Sequence, residues 1–135
     1  MDSGPETLRH IGRGHGMDIL LVEDDKYIAR AMAQLINDSG CHRLAVVASV
    51  AAAQAWLEEH PVTDAVVADA CLGAGGCGTE LLAWVGQRYP MVRRVLITGC
   101  AARLEEMRSS GPCDWDATLL KPFGVEELEA VLEAT

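Results

Sequence analysis

The fold is decided by one stretch of the sequence, Thr63-Asp64-Ala65-Val66-Val67-Ala68-Asp69-Ala70-Cys71-Leu72-Gly73. Its apolar run, residues 65 to 68, is bounded by polar and turn-forming residues, as is typical of a short strand buried on both faces of a parallel sheet. The run ends at a carboxylate, Asp69, and a glycine-rich loop follows. The carboxyl end of a central strand is where open α/β sheets bind ligands, although an Asp there can also simply cap the next helix.

Composition indicates a single globular domain. The chain has 135 residues, half of them hydrophobic, which is enough for one packed core. The net charge of −9 argues against contact with nucleic acid or an anionic membrane. No stretch approaches the roughly 20 apolar residues of a membrane-spanning helix, and residues 1 to 16 lack the apolar region of a secretory signal. We therefore expect a cytoplasmic protein with a flexible leader, residues 1 to 16, and one domain, residues 17 to 135.

The cysteines are odd in number and irregularly spaced, at positions 41, 71, 77, 100 and 113. No Cys-x-x-Cys pair is present, so neither a disulfide framework nor a structural zinc site is expected. We expect free, reduced thiols.

Apolar runs alternate with helical patterns along the rest of the chain. The predicted strands cover residues 18–22, 44–48, 65–69, 92–98 and 117–120. The predicted helices cover residues 26–38, 50–59, 78–88, 101–109 and 125–134, with Ser49 as a cap and Ser39-Gly40 as a stop. Five strands alternating with five helices predict an α/β fold, a parallel sheet with helices on both faces. Right-handed crossovers leave few strand orders open.

Polar side chains follow four of the predicted strands, and parallel strands bring them to one edge of the sheet. They are Glu23-Asp24, Asp69, Thr98 and Lys121. If the first and third strands are neighbours, three carboxylates converge, and such a cluster normally holds a cation because the charges repel one another. Oxygen ligands suit Mg²⁺, and Mn²⁺ nearly as well. Asp25, next in the chain, is better explained as the cap of the first helix.

The hydroxyl of Thr98 and the ammonium of Lys121 suit a phosphoryl group beside that metal ion. The ammonium supplies a compact positive charge and the hydroxyl a hydrogen-bond donor. An Asp can itself accept phosphate as a nucleophile and form an acyl phosphate. Each of these residues also has a purely structural explanation, as a helix cap, a strand residue or a surface lysine.

Residues 17 to 135 resemble a receiver domain of a bacterial two-component response regulator. The resemblance is carried by four motifs in order, Leu21-Val22-Glu23-Asp24-Asp25, Val67-Ala68-Asp69 with Leu72 after it, Val95-Leu96-Ile97-Thr98-Gly99 and Leu120-Lys121-Pro122-Phe123. It implies a flavodoxin-like, doubly wound sheet of five strands in the order 2-1-3-4-5.

The resemblance also assigns roles to the polar residues. It implies that Asp69 is the phosphoacceptor and that Glu23, Asp24 and Asp69 bind Mg²⁺ together with the main-chain carbonyl of Cys71. Thr98 and Lys121 would contact the phosphoryl oxygens, and a cis bond is expected between Lys121 and Pro122.

The function implied is a phosphoryl-accepting signalling switch in a two-component phosphorelay. Its donor would be a sensor histidine kinase or a histidine phosphotransfer protein, and its only enzymatic property would be self-dephosphorylation. Since no output domain follows Thr135, the signal is expected to leave by protein contact.

Three alternatives stay open. The chain could be a receiver-like module that binds a partner without phosphorylation, or the receiver piece of a hybrid histidine kinase. A phosphatase with an Asp nucleophile would normally carry a second Asp two residues later, where this chain has Cys71.

The sequence departs from the family pattern near the predicted site. Gly73 replaces the usual proline, and the loop to Gly78 is one residue longer than typical. Thr118 takes the place of an aromatic residue, and we do not expect Trp115 to replace that ring because it lies six residues before the lysine rather than three. The segment of residues 110 to 115 is also long. Cys71 and Cys100 each follow a predicted site residue by two positions, and a redox role for them is a hypothesis.

Overall fold

The computed structural model describes residues 16 to 39, 42 to 109 and 114 to 133, and in them five strands alternate with five helices. The strands are β1 (Asp18–Val22), β2 (Arg43–Val47), β3 (Ala65–Asp69), β4 (Arg93–Thr98) and β5 (Ala117–Leu120). The helices are α1 (Lys26–Ser39), α2 (Val50–Glu59), α3 (Gly78–Arg88), α4 (Ala101–Ser109) and α5 (Val125–Glu133). None of the described helices is both long and apolar enough to cross a membrane.

The strands form one parallel sheet in the order β2-β1-β3-β4-β5. This confirms the predicted α/β, doubly wound, flavodoxin-like fold with the order 2-1-3-4-5. The direction of winding reverses between β1 and β3, and that reversal leaves a crevice at the carboxyl ends of the strands.

The hydrophobic core lies on both faces of the sheet. Alternate residues of β1 point to opposite faces, so that Leu20 packs with Leu57 of α2 and Leu82 of α3, whereas Leu21 packs with Ile36 of α1. Every residue of β3 is buried. Full burial of each large aliphatic side chain contributes about 2 kcal/mol, so the central strands are held firmly and their ends make a rigid platform.

The predicted ends of three elements are wrong by one residue. Strand β2 begins at Arg43 because its N–H donates to the carbonyl of Met17 and its guanidinium pairs with Asp18 at 2.6 Å. It ends at Val47, before Ala48. Strand β4 begins after Val92, whose N–H closes a turn on the carbonyl of Tyr89. Helix α1 continues to Ser39.

The predicted helix caps are confirmed. Asp25 Oδ1 accepts hydrogen bonds from the N–H groups of Tyr27 and Ile28 at 2.9 and 3.0 Å, and Ser49 Oγ accepts one from Ala52 at 3.1 Å. Some of the predictions concern residues outside the described ranges. They are the leader up to residue 15, the stop at residue 40, the segment 110–113, the last predicted residue of α5 and the cysteines at positions 41 and 113. The three described cysteines are free thiols.

Glycines allow the loop after β3 to pack tightly against its surroundings. Gly73 has φ 59°, and a proline, whose ring holds φ near −65°, does not fit that backbone. The positive φ of residue 73 therefore explains why this chain has Gly73 where the family pattern has a proline. Gly78, the first residue of α3, lies so close to β3 that an added Cβ would sit 1.9 Å from the carbonyl oxygen of Asp69.

Gly78→Ala should destabilise the protein by about 2 kcal/mol or more, because either helix α3 or the end of β3 must shift to admit the methyl group. Gly99→Ala is the matched control, since among the described atoms its Cβ would meet only Lys121 Cδ, at 4.0 Å. Urea unfolding of both variants measures the difference. Equal stability of the two variants would show that the contact between α3 and β3 is not tight.

Candidate functional site

Parallel pairing brings the polar residues that follow four strands to one edge of the sheet. Val22 lies opposite Ala68, Asp69 opposite Ile97, and Thr98 opposite Leu120. The structure therefore places the side chains predicted from sequence at the same edge: Glu23, Asp24, Asp69, Thr98 and Lys121.

Lys121 joins the two buried carboxylates of this edge. Its Nζ lies 2.7 Å from Asp69 Oδ2 and 3.3 Å from Glu23 Oε1. The Glu23 side chain is 1% exposed, the Asp69 side chain 13% and the Lys121 side chain 22%. The peptide bond between Lys121 and Pro122 is cis, as expected. The three side chains form a compact cluster, in which Lys121 is the most exposed and Glu23 the least.

The electrostatics of the cluster are unusual. Burial raises the pKa of Glu23 from its usual 4.5 to about 7, and a hydrogen bond with Asp69 adds to the rise, while the Asp25 N–H and the charge of Lys121 oppose it. Burial lowers the pKa of Lys121, but hydrogen bonds and charge interactions with Asp69 and Glu23 outweigh that effect and leave it raised. The lysine therefore stays charged at neutral pH, and one carboxylate of the pair holds its proton more tightly than usual.

Asp24 and Asp25 differ in role although they are adjacent. Asp25 is the cap of α1. The carboxylate of Asp24 is exposed and reaches toward the loop after β3, since an ideal Cβ on Gly73 would lie 3.1 Å from its Oδ2. Glu23 Oε2 accepts a hydrogen bond from the Asp25 N–H at 3.2 Å, which fixes the carboxylate between the main chain and the lysine.

The donor set suits a hard divalent cation, although the described side chains are not yet arranged around one. Among the described residues, no three His, Cys, Asp or Glu side chains converge as a metal site, and Lys121 bridges Glu23 and Asp69 instead. A divalent cation would offset the repulsion between those carboxylates. The exposed Asp24 side chain can change rotamer within nanoseconds. The binding of Mg²⁺ or Mn²⁺ stays a prediction.

Thr98 and Cys71 hold the loops that border the cluster. Thr98 is buried, and its Oγ1 accepts a hydrogen bond from the Cys100 N–H at 3.2 Å. The Cys71 N–H donates to Asp69 Oδ1 at 3.2 Å. Asp69 is thus held through one oxygen by its own loop and through the other by the lysine.

One contact near the site was missed by sequence reasoning. The indole N–H of Trp115 donates to Thr118 Oγ1 at 2.9 Å, and the half-buried ring packs against the core on one face of the sheet. A tryptophan three residues before a threonine was a usable signal, because a buried indole N–H needs an acceptor. The ring is therefore anchored to Thr118, the residue that stands where the family pattern has an aromatic residue.

A doubly wound sheet with two buried acids and a lysine at its carboxyl edge defines the receiver class of signalling domains. The family model "Response regulator receiver domain" matches residues 19–133. The chain belongs to this family, whose members are phosphoryl-accepting signalling domains of two-component systems. Among curated protein sequences none matches the chain.

Solved structures agree with this assignment. The chain is similar to the signal receiver domain of an HD domain-containing protein from Pseudomonas fluorescens Pf-5, with 27% identity, a TM-score of 0.72 and coverage of 86% of this chain and 90% of that one. It is also similar to a CheY-like receiver domain protein from Methanospirillum hungatei JF-1, with 25% identity, a TM-score of 0.70 and coverage of 84% and 87%. A receiver domain protein from Clostridium thermocellum, 18% identical, shares the fold with a TM-score of 0.73 over 86% and 90% of the two chains.

Asp24→Asn should weaken Mg²⁺ binding about tenfold or more, because a lost ligand also removes one negative charge. Asp25→Asn is the matched control, since it removes the same charge from the neighbouring residue and an Asn still caps a helix. Titration calorimetry with Mg²⁺ measures both. Equal affinities for the two variants would exclude Asp24 as a ligand.

Proposed function

We propose that the protein is a signalling switch that accepts a phosphoryl group on Asp69. The observation that carries this proposal is the 2.7 Å contact between Lys121 Nζ and Asp69 Oδ2 at the carboxyl end of the buried central strand. A carboxylate at that place is accessible at its edge and is flanked by a fixed positive charge, which an acyl phosphate requires.

In the proposed transfer, an oxygen of Asp69 attacks the phosphorus of a phosphohistidine on the donor protein. The phosphorus–nitrogen bond breaks, and the leaving imidazole nitrogen keeps the electron pair of that bond. The ammonium of Lys121, already hydrogen-bonded to Asp69, offsets the charge that develops on the phosphoryl oxygens. The hydroxyl of Thr98 can donate a hydrogen bond to one of these oxygens. Hydrolysis of the acyl phosphate resets the switch.

Glu23, Asp24, Asp69 and the carbonyl of Cys71 would hold Mg²⁺ in this proposal. When bound, the ion supplies positive charge that screens the acidic cluster from the incoming phosphoryl group.

The proposed donor is a sensor histidine kinase or a histidine phosphotransfer protein, and the proposed location is therefore the cytoplasm, where such donors carry phosphate. The chain is proposed to have no enzymatic activity beyond loss of its own phosphoryl group. Its buried acid–lysine cluster favours this proposal over a module that binds a partner without phosphorylation.

Incubation with acetyl phosphate and Mg²⁺ should add one phosphoryl group to the wild-type protein and none to Asp69→Asn. Asp25→Asn, which removes a charge at the same edge, should still be phosphorylated. Intact mass measures the addition, and hydroxylamine treatment identifies an acyl phosphate. If a panel of small donors and histidine kinases leaves the wild-type protein unmodified, binding without phosphorylation becomes the function to pursue.

Lys121→Ala should slow phosphoryl uptake about 100-fold, the usual effect of losing one group that stabilises developing charge. Lys26→Ala is the matched control, because Lys26 is the other lysine of the chain and is exposed at the start of α1. Rates of uptake from acetyl phosphate compare the two. A similar rate for both variants would remove Lys121 from the mechanism.

Phosphorylation should change the loop after Thr98 and helix α4. Helix α4 is short and polar, and each of its side chains that the structure describes is exposed, which favours it as an element that shifts easily. Thr118 provides no aromatic ring to turn inward, so the loop and helix are the expected route of the signal. Hydrogen exchange with and without beryllofluoride should differ at residues 99 to 109. Changes confined to the Asp69 loop would contradict this route.

A further inference from the structure

Two cysteines lie directly opposite each other in the loop that follows Asp69. Cys71 and Cys77 form an isolated antiparallel bridge. A main-chain hydrogen bond flanks the bridge on each side. The Leu72 N–H donates to the Gly76 carbonyl, and the Gly78 N–H donates to the Ala70 carbonyl, each at 3.0 Å. The two cysteines are thus a pair whose own N–H and C=O groups do not bond each other.

Such a pair has the spacing that a disulfide needs. Residues opposite each other in the non-hydrogen-bonded position have Cα atoms about 4.5 Å apart and side chains on the same face. A disulfide spans Cα distances of about 4.4 to 6.8 Å. Both thiols are exposed, whereas Leu72 between them points into the core. At this backbone spacing, rotation of the two exposed side chains can bring the sulfur atoms together.

We propose that Cys71 and Cys77 form a modification site that a hydroperoxide oxidises to an intramolecular disulfide. One cysteine loses its proton and attacks an oxygen of the peroxide as the thiolate; the S–O bond of a sulfenic acid forms as the O–O bond breaks, and the leaving oxygen takes up that proton as water or an alcohol. The second thiol then attacks the sulfenic sulfur and releases water, so that two thiols and one peroxide give one disulfide. A dithiol reductant restores the starting state.

The other described features support a two-thiol site. No third metal-binding side chain among the described residues joins the pair as a metal centre. Cys100, also exposed, lies on a different loop, and its Sγ accepts a hydrogen bond from the Arg103 N–H at 3.4 Å. Disulfides in a reducing compartment are usually transient and redox-sensing, which agrees with free thiols held ready at this spacing.

The disulfide would tie together two segments of the loop that contact Asp69. The Cys71 N–H donates to Asp69 Oδ1, and the Gly78 backbone, next to Cys77, lies against the Asp69 carbonyl. Oxidation would therefore restrain the loop of the candidate phosphoacceptor. This inference goes beyond the proposed function and holds whether or not Asp69 accepts phosphate.

The sequence makes the site easy to test. Trypsin cleaves after Arg43 and Arg88, and the peptide between them contains Cys71 and Cys77 but no other cysteine. The reduced protein is treated with one equivalent of hydrogen peroxide, and the remaining thiols are then blocked with N-ethylmaleimide. We expect the peptide of residues 44 to 88 to lose two hydrogen atoms and to carry no maleimide, and dithiothreitol should restore both thiols.

Two variants separate this pairing from others. Cys77→Ser should abolish the loss of two hydrogen atoms from the peptide, whereas Cys100→Ser, the matched control, should leave it unchanged. Two maleimides on the wild-type peptide after peroxide treatment would overturn the proposal. A link to the tryptic peptide of residues 95 to 103, which contains Cys100, would overturn it as well.

Hydrogen exchange tests the restraint of the loop. The amides of Leu72 and Gly78 should exchange at least about tenfold more slowly in the oxidised wild-type protein than in the reduced one, because cross-linking suppresses local opening. The Cys77→Ser variant should show no such difference. Unchanged exchange in the oxidised wild type, with the disulfide present by mass, would contradict the restraint.

Discussion

The contact between Lys121 and Asp69 is the interaction on which the functional edge depends. The two residues are 52 positions apart, and they meet only because β1, β3, β4 and β5 lie side by side and parallel. Removing Lys121 would leave two buried acids without their shared cation, and breaking a buried pair in this way usually costs about 3 to 5 kcal/mol. The order of the sheet is therefore a requirement of the site's chemistry as well as of the core.

The same cluster carries more negative than positive charge at a half-buried place. Burial raises the pKa of Glu23 to about 7 and Asp69 adds to the rise, while the two acids leave the pKa of Lys121 raised. Such an arrangement does not maximise stability, but it suits the proposed binding of a cation and a phosphoryl group. The firm packing of β1 and β3 on both faces of the sheet offsets the unfavourable burial of two acids beside a single lysine.

The loop between Asp69 and α3 links three properties of the molecule. Gly73 and Gly78 let it approach Asp24 and the Asp69 carbonyl closely. The main chain of Cys71 holds the Asp69 carboxylate and lies opposite that of Cys77 in an antiparallel bridge. Backbone conformation, the position of the phosphoacceptor candidate and the chemistry of the thiols are therefore decided by the same few residues.

The sequence by itself determined the elements and the chemistry of the edge. Apolar runs that end in Glu23, Asp69, Thr98 and Lys121 locate the strand ends because hydrophobic periodicity is a local property. Strand β2 was misplaced by one residue because its first residue is polar and is held by a distant partner. Only the tertiary structure decided that Lys121 bridges the two acids, that Trp115 bonds Thr118, and that Cys71 faces Cys77, since each of these contacts depends on how the chain folds back on itself.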